Sequence, residues 1–308
     1  VHNLIRRARL QPDDISFAAH RAPTEAQSEF LTSSDNWFRP VEVRTGPDGC
    51  LWIVDMYRAV VEHPEWIPLT WQRKLDLRAG SNLGRIYRIV HDGKKPGPKP
   101  QLAAAAPGDL VKTLTHPNGW WRDTAQRLLV EQSPAAALAP LKQMALNAAD
   151  PRARLHALWS LDGMGQMDAD TVIAALGKEK DNRVRAAAVR VSDSLLKTSD
   201  KDKVLPKLAS LADTKDVYIQ TQLAFTLGET KDPAAESAMA VLARNAGTNA
   251  LVRDALISGL AVREVELLER LAADKAWADK NKVGGGEGFI GTLARNVFQQ
   301  ARGDRVNR

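Results

Sequence analysis

Asp150-Pro-Arg-Ala-Arg-Leu-His-Ala-Leu-Trp-Ser-Leu161 decides the fold, because its pattern recurs. Arg154 belongs to a series, Arg122, Arg154, Arg185, Gln220 and Arg253, whose intervals by subtraction are 32, 31, 35 and 33 residues. The residue before each is Trp121, Ala153, Val184, Ile219 or Val252. Three after each comes Ala125, Ala157, Ala188, Leu223 or Leu256, and seven after comes Leu129, Leu161, Ser192, Leu227 or Leu260. These offsets lie on one face of a helix with 3.6 residues per turn. Each such helix follows a first helix, for example Leu138–Leu146 or Val204–Leu211, and Asp150, Asp181 and Asp216 supply N-cap residue types in the turns between them. A single pair cannot cover its own apolar face, so the pairs must stack into an α-solenoid. Glu264–Ala273 and Gly288–Gln300 read as a divergent last pair, separated by a break at Gly284-Gly-Gly286.

Towards the N-terminus the period changes. Asp92-Gly-Lys-Lys-Pro-Gly-Pro-Lys-Pro100 is too rich in Pro and Gly for helix or central strand and reads as an extended spacer. Before it, Val41-Glu-Val-Arg44 alternates apolar and polar side chains, Gly46-Pro-Asp-Gly49 has turn chemistry, and Cys50-Leu-Trp-Ile-Val-Asp55 reads as a buried strand. Gly84-Arg-Ile-Tyr-Arg-Ile-Val90 alternates again, and weaker strands are expected near Asn3–Arg7 and Ser16–His20. A long connection carrying Pro64, Trp66, Pro68 and Trp71 runs from Tyr57 to Ser81, a length that suggests a docking or functional role. The expectation is a mainly α protein: an incomplete β module over 1–92, a linker over 93–107, and an α-solenoid of HEAT-type helix pairs over 108–302.

Composition narrows the function classes. Lys+Arg 43 against Asp+Glu 37 gives a net charge of +6, spread without long basic runs, so nucleic acid is not an expected partner. The single cysteine, Cys50, excludes an internal disulfide or a multi-cysteine metal centre. No apolar run is long enough to span a membrane. The chain opens on Val1-His2-Asn3 with neither an initiator Met nor a signal-peptide core, and is expected to be a fragment or a processed piece.

Neither part contains a recognised catalytic motif, so no catalytic residue and no metal ligand are assigned. The six histidines are isolated in sequence, and His116 and His156 in the repeats are expected to be structural. The densest polar group is Asp55, Arg58, Glu62 and His63, which is either a functional loop or a network anchoring an irregular connection. Arg39, in Trp37-Phe-Arg-Pro40, enters a strand between aromatics; it could fork onto a carboxylate or phosphate ligand, or pair with Asp35. Trp120-Trp121 is expected to turn one ring to the helical core and the other to the preceding module. The recurring arginines are expected to bond neighbouring carboxylates or carbonyls.

Five segments carry a resemblance: Ser33-Ser-Asp-Asn-Trp-Phe-Arg-Pro-Val41, Gly46-Pro-Asp-Gly49, Val54-Asp-Met-Tyr-Arg58, Glu62-His-Pro-Glu-Trp-Ile-Pro68 and Gly84-Arg-Ile-Tyr-Arg-Ile89. Together they resemble the closing motifs of the bacterial PVC-type membrane-bound dehydrogenases. Proteins of that family look like a glucose/sorbosone-dehydrogenase-like β-propeller followed by HEAT repeats and usually a C-terminal haem c domain. His116-Pro-Asn-Gly-Trp-Trp-Arg-Asp-Thr-Ala-Gln-Arg-Leu-Leu129 is similar to the first HEAT unit after that propeller. The resemblance is specific over Ser33–Leu129 and architectural beyond.

It implies a partial β-propeller, about one antiparallel blade, ahead of the solenoid. It also implies a periplasmic or cell-envelope location, and pyrroloquinoline quinone and haem c in the full-length family. Arg39 matches a strand-leading position that in related enzymes can contact the quinone. No residue here matches the catalytic histidine of an early blade, and the haem-attachment motif is absent, so this chain alone is expected to be inactive. The implied partners are the rest of the propeller, a haem c domain of the same polypeptide, and a protein on the concave face of the repeats. The alternative is a HEAT-repeat interaction scaffold without a catalytic role.

Overall fold

A computed structural model describes residues 3–260, 263–274, 277 and 286–299. The described chain divides into two compact units, one formed by 1–102 with 117–121, the other by 103–116 with 122–308.

The first unit is antiparallel throughout. Strands β1 (Leu4–Ile5), β2 (Ala8–Asp13), β3 (Ser16–Arg21) and β4 (Leu31–Thr32) form two ribbons, β1 with β4 and β2 with β3. The strand expected over Asn3–Arg7 is thus only two residues long, and β2 was not anticipated. Ala8, Leu10 and Pro12 of β2 alternate with Arg9, Gln11 and Asp13, but every residue of β2 is exposed, so the alternation buries no face and the ladder to β3 holds the strand.

The main sheet has the order β5-β6-β7, with β5 at Pro40–Thr45, β6 at Leu51–Asp55 and β7 at Arg85–Ile89. Its three strands are one fewer than a propeller blade carries, and among the described residues no sheet closes into a barrel. The turn between β5 and β6 follows its sequence. The Gly49 N–H donates to the Gly46 carbonyl, Gly49 takes φ +78°, and Asp48 accepts from Cys50 N–H and from the Trp52 indole. A side chain at Gly46 would stand 2.2 Å from Trp52 Nε1, so only glycine fits. Phe38, Cys50, Ile53 and Asp55 are the buried residues in and beside this sheet. The segment after β6 holds one short helix, α1 (Leu69–Gln72), and the segment around Asp92–Pro100 has no helix or strand.

The second unit is helical. Its first helices are α2 (Pro107–Thr113), α4 (Leu138–Asn147), α6 (Ala169–Lys178), α8 (Lys201–Ala209), α10 (Pro233–Ala246) and α12 (Glu264–Ala273). Its second helices are α3 (Gly119–Gln132), α5 (Pro151–Gly163), α7 (Asn182–Val191), α9 (Val217–Gly228) and α11 (Ala250–Leu260), followed by α13 (Gly286–Gln299). The first helices stack in one layer, α4 on α6, α6 on α8, α8 on α10, and α10 on α12. The second helices stack in another, α5 on α7, α7 on α9 and α9 on α11, with α4 against α5 and α6 against α7 joining the layers. The last pair is α12 with α13, while most of the expected glycine break lies outside the described residues.

Burial explains the period. All ten residues at the third and seventh offsets, from Ala125 to Leu260, are buried between layers. Each such leucine contributes about 1.5–3 kcal/mol by leaving water. Asp150, Asp181 and Asp216 accept backbone N–H bonds at the starts of α5, α7 and α9, and Asp168 and Asp232 do the same for α6 and α10.

Candidate functional site

One end of the main sheet gathers polar side chains from three distant stretches. Register places Pro40 opposite Asp55, and Asp55 opposite Arg85, so Arg39, Asp55 and Arg85 converge although 16 and 30 residues separate them by subtraction. Asp55 is buried, with 1% of its surface exposed. Its Oδ1 accepts the backbone N–H groups of Arg39 and Tyr57, each at 2.8 Å, and its Oδ2 is buried with no hydrogen-bond partner. The carboxylate therefore ties the start of β5 to the turn after β6, where Tyr57 takes φ +49°.

Around this anchor Tyr57 donates its hydroxyl to Asp35 Oδ2 at 2.8 Å, and the Arg85 guanidinium lies 3.6 Å from the centre of the Tyr57 ring. Trp37 packs 5.8 Å from the same ring. The Trp37 backbone N–H, then the Tyr57 hydroxyl, hold the Asp35 carboxyl below its ordinary range, with Arg85 and Arg39 adding to this. The hydrogen bond to Asp35, with burial, raises the Tyr57 phenol.

Arg39 does not pair with Asp35, whose oxygens are taken by Trp37 and Tyr57. Its guanidinium bonds the Phe38 carbonyl at 3.1 Å and joins no ion pair among the described residues. The group Asp55, Arg58, Glu62 and His63 separates. Arg58 donates to the Leu77 carbonyl and leaves its Nε buried and unbonded, so it belongs with the anchored turn. Glu62 and His63 are exposed; Glu62 accepts from Val61 N–H, and His63 caps the 3-10 turn Pro64–Trp66 through Glu65 N–H. Among the described residues no three acidic, His or Cys side chains stand close enough to hold a metal. Asp35 was expected beside Arg39, but its partners are Tyr57 and the Trp37 backbone, and the contact of Tyr57 with Arg85 depends on strand register that no local spacing encodes. The flanking aromatics Trp37 and Tyr87 were the available signal.

The recurring position in the repeats is built from local bonds. Arg122 donates to the His116 carbonyl at 2.6 Å, Arg154 to the Ala148 carbonyl at 2.6 Å, and Gln220 to the Thr214 carbonyl at 2.8 Å. In each case the acceptor lies six residues upstream, so this side chain ties down the turn leading into its own helix. Arg154 also grips the Glu179 carboxylate of the next unit at 2.7 and 2.8 Å. Arg122 donates to His156 Nε2 at 3.3 Å, and His156 Nδ1 meets Gln126 Oε1 at 2.7 Å, which assigns a neutral imidazole with its proton on Nδ1. Burial, with Arg122 alongside, holds His156 below its ordinary value against the opposing pull of Asp123. Arg185 and Arg253 depart from the series: the Nε of each is buried without a hydrogen bond.

At the start of α3, Asn118 donates to the Gly46 carbonyl and the Trp121 indole to the Pro47 carbonyl, each at 2.8 Å. The Trp120 and Trp121 rings meet edge to face at 5.9 Å. Trp121 is the one member of its aligned set not fully buried, since its indole serves the 46–49 turn. Among the described residues no helix is long and apolar enough to cross a membrane. No curated protein gives a significant match to the chain. Residues 1–93 match a domain of unknown function (DUF7133), and residues 108–193 match HEAT repeats, so the chain carries HEAT repeats behind an N-terminal domain of uncharacterised role.

Proposed function

We propose that this chain is the C-terminal part of a periplasmic, quinoprotein-like sugar or alcohol dehydrogenase. The first unit contributes sheet to a β-propeller, and the HEAT repeats form the scaffold on which a haem c domain or another protein docks. HEAT arrays recognise proteins far more often than they catalyse, and at the recurring position Arg122, Arg154 and Gln220 are spent on bracing turns. The observation that favours the dehydrogenase reading is Arg39. A buried carboxylate fixes its backbone, and its guanidinium makes no ion pair among the described residues. Such a group suits the carboxylates of pyrroloquinoline quinone, which when bound would supply the redox chemistry. Arg39 would orient it, with Asp55 holding Arg39 in place.

Two measurements test this. Calorimetric titration of the chain with pyrroloquinoline quinone should show binding that Arg39→Ala weakens at least tenfold; equal affinity in both proteins removes Arg39 from the reading. Turnover of any aldose by this chain with the quinone and an artificial acceptor would refute the claim that other blades are required. The interaction reading is tested separately. A soluble haem c domain should be retained by the isolated chain at low ionic strength, and failure to bind counts against docking.

A further inference from the structure

We propose that the β5 edge is an interface between two copies of this chain, paired antiparallel about Val43. This inference goes beyond the proposed function and does not rest on it. Strand β5 is outermost in the order β5-β6-β7, and Val41 to Thr45 are all exposed, Val41 by 54% and Val43 by 39%. The Gly46 N–H bonds the Cys50 carbonyl across the β5–β6 ladder. Inward and outward groups alternate in an antiparallel pair, so Arg44 and Glu42 bond towards β6, and Val43 and Thr45 turn their backbone donors and acceptors to the open side. The register shift lies between Pro40 and Glu42, so the regular, β-branched part of this edge, Glu42 to Thr45, is ready to accept another strand.

Its charge pattern selects the occupant. A two-fold axis at Val43 lets the two Val43 residues exchange N–H and C=O bonds, sets Val41 opposite Thr45, and sets Glu42 of each copy opposite Arg44 of the other. Those opposed charges fall at the non-hydrogen-bonded positions, where side chains approach most closely. Among the described residues of one chain Glu42 and Arg44 pair with each other, along the strand at 2.6 Å and largely in solvent, with 48% and 79% of their side chains exposed. The second copy gives each a partner across the strands, twice by symmetry. The other edge lacks this property, for β7 carries Arg85 and Arg88 and no acid, so self-pairing there would bring guanidinium groups together.

Sedimentation velocity over a wide concentration range tests the proposal on the full 308-residue chain. The wild type should form a reversible dimer. Glu42→Arg and Arg44→Glu each replace two attractive cross-strand pairs with like charges, and each should weaken the dimer about thirtyfold. An equimolar mixture of the two variants regains both complementary pairs and should dimerise. Val43→Pro removes the central N–H and should leave a monomer, with circular dichroism confirming that each variant keeps its fold. The chain carrying both E42R and R44E retains complementarity and gives a second route to rescue should either single variant fail to fold. A wild type that stays monomeric throughout overturns the proposal. So does a dimer indifferent to E42R and V43P, or a mixture that fails to recover.

Discussion

Replacing Arg154 with alanine should destabilise the repeats at one identifiable joint. Arg154 Nε and Nη2 bind the two oxygens of Glu179, and its Nη1 bonds the Ala148 and Ala149 carbonyls. The pair is well enclosed, with 16% of the arginine side chain and 5% of the glutamate exposed. Glu179 Oε1 also accepts the Lys180 and Asp181 backbone N–H groups, which precede α7, so the bridge connects the turn before α5 to the turn before α7. After truncation Glu179 keeps those two bonds but its Oε2 is stranded. Breaking a fully buried pair costs about 3–5 kcal/mol, and the arginine's residual solvent access reduces this to about 2–3 kcal/mol. Burial opposes ionisation of Glu179, yet the bonds from Arg154 and from the Asp181 N–H hold its carboxyl below the ordinary value. A depressed carboxyl contributes stability above its unfolded pKa and loses it as pH falls through the folded value. The wild-type advantage over R154A should therefore shrink on acidification below the normal glutamate range. Urea unfolding followed by circular dichroism gives the difference, and hydrogen exchange should show accelerated opening in α5 through α7 first, since repeat arrays yield locally. A loss below about 1 kcal/mol, or an Arg154→Ala/Glu179→Gln cycle with no coupling, would refute the reasoning.

Two glycines should respond oppositely to alanine. Gly228→Ala drives a methyl to within 2.5 Å of Gly259 between α9 and α11 and should cost about 1–3 kcal/mol, whereas Gly177→Ala meets open space in α6 and should stabilise by about 0.5–1 kcal/mol, both read by thermal melts. Because His156 is held below its ordinary value, the unfolded chain binds a proton more readily. Stability should rise with pH through the range just below about 6.5, and His156→Gln should flatten that slope in urea midpoints taken across pH. Asp55→Ala strips the acceptor from two part-buried N–H groups and should cost about 1–3 kcal/mol. Asp55→Asn keeps that acceptor and places its amide at the unbonded Oδ2, so it should melt within a few degrees of wild type.

The repeats were legible because their determinants are local and periodic. A residue at a fixed offset from Arg122, Arg154 or Gln220 faces the same inter-layer core, and an aspartate caps α5, α7 and α9 while Asn118 and Asn249 cap α3 and α11; both facts need only the chain's own spacing. The same locality made the 46–49 turn readable, since Pro47 and Asp48 impose its conformation and Gly49 permits it. Strand β2 is harder to read: Ala8, Leu10 and Pro12 do alternate with Arg9, Gln11 and Asp13, but Pro12 argues against a strand and no face is buried, so β2 exists through its pairing with β3.

What the order of residues determined by itself is therefore the helical period, the caps and the tight turn, all set by interactions within a few residues. What only the tertiary structure decided is which distant groups share an environment. Strand register brought Asp55 to the backbone of Arg39 and Arg85 to the Tyr57 ring, and left Glu62 and His63 in solvent. Sheet pairing acts across long loops, and a one-residue shift would send every side chain of a strand to the opposite face, so no local spacing encodes that meeting.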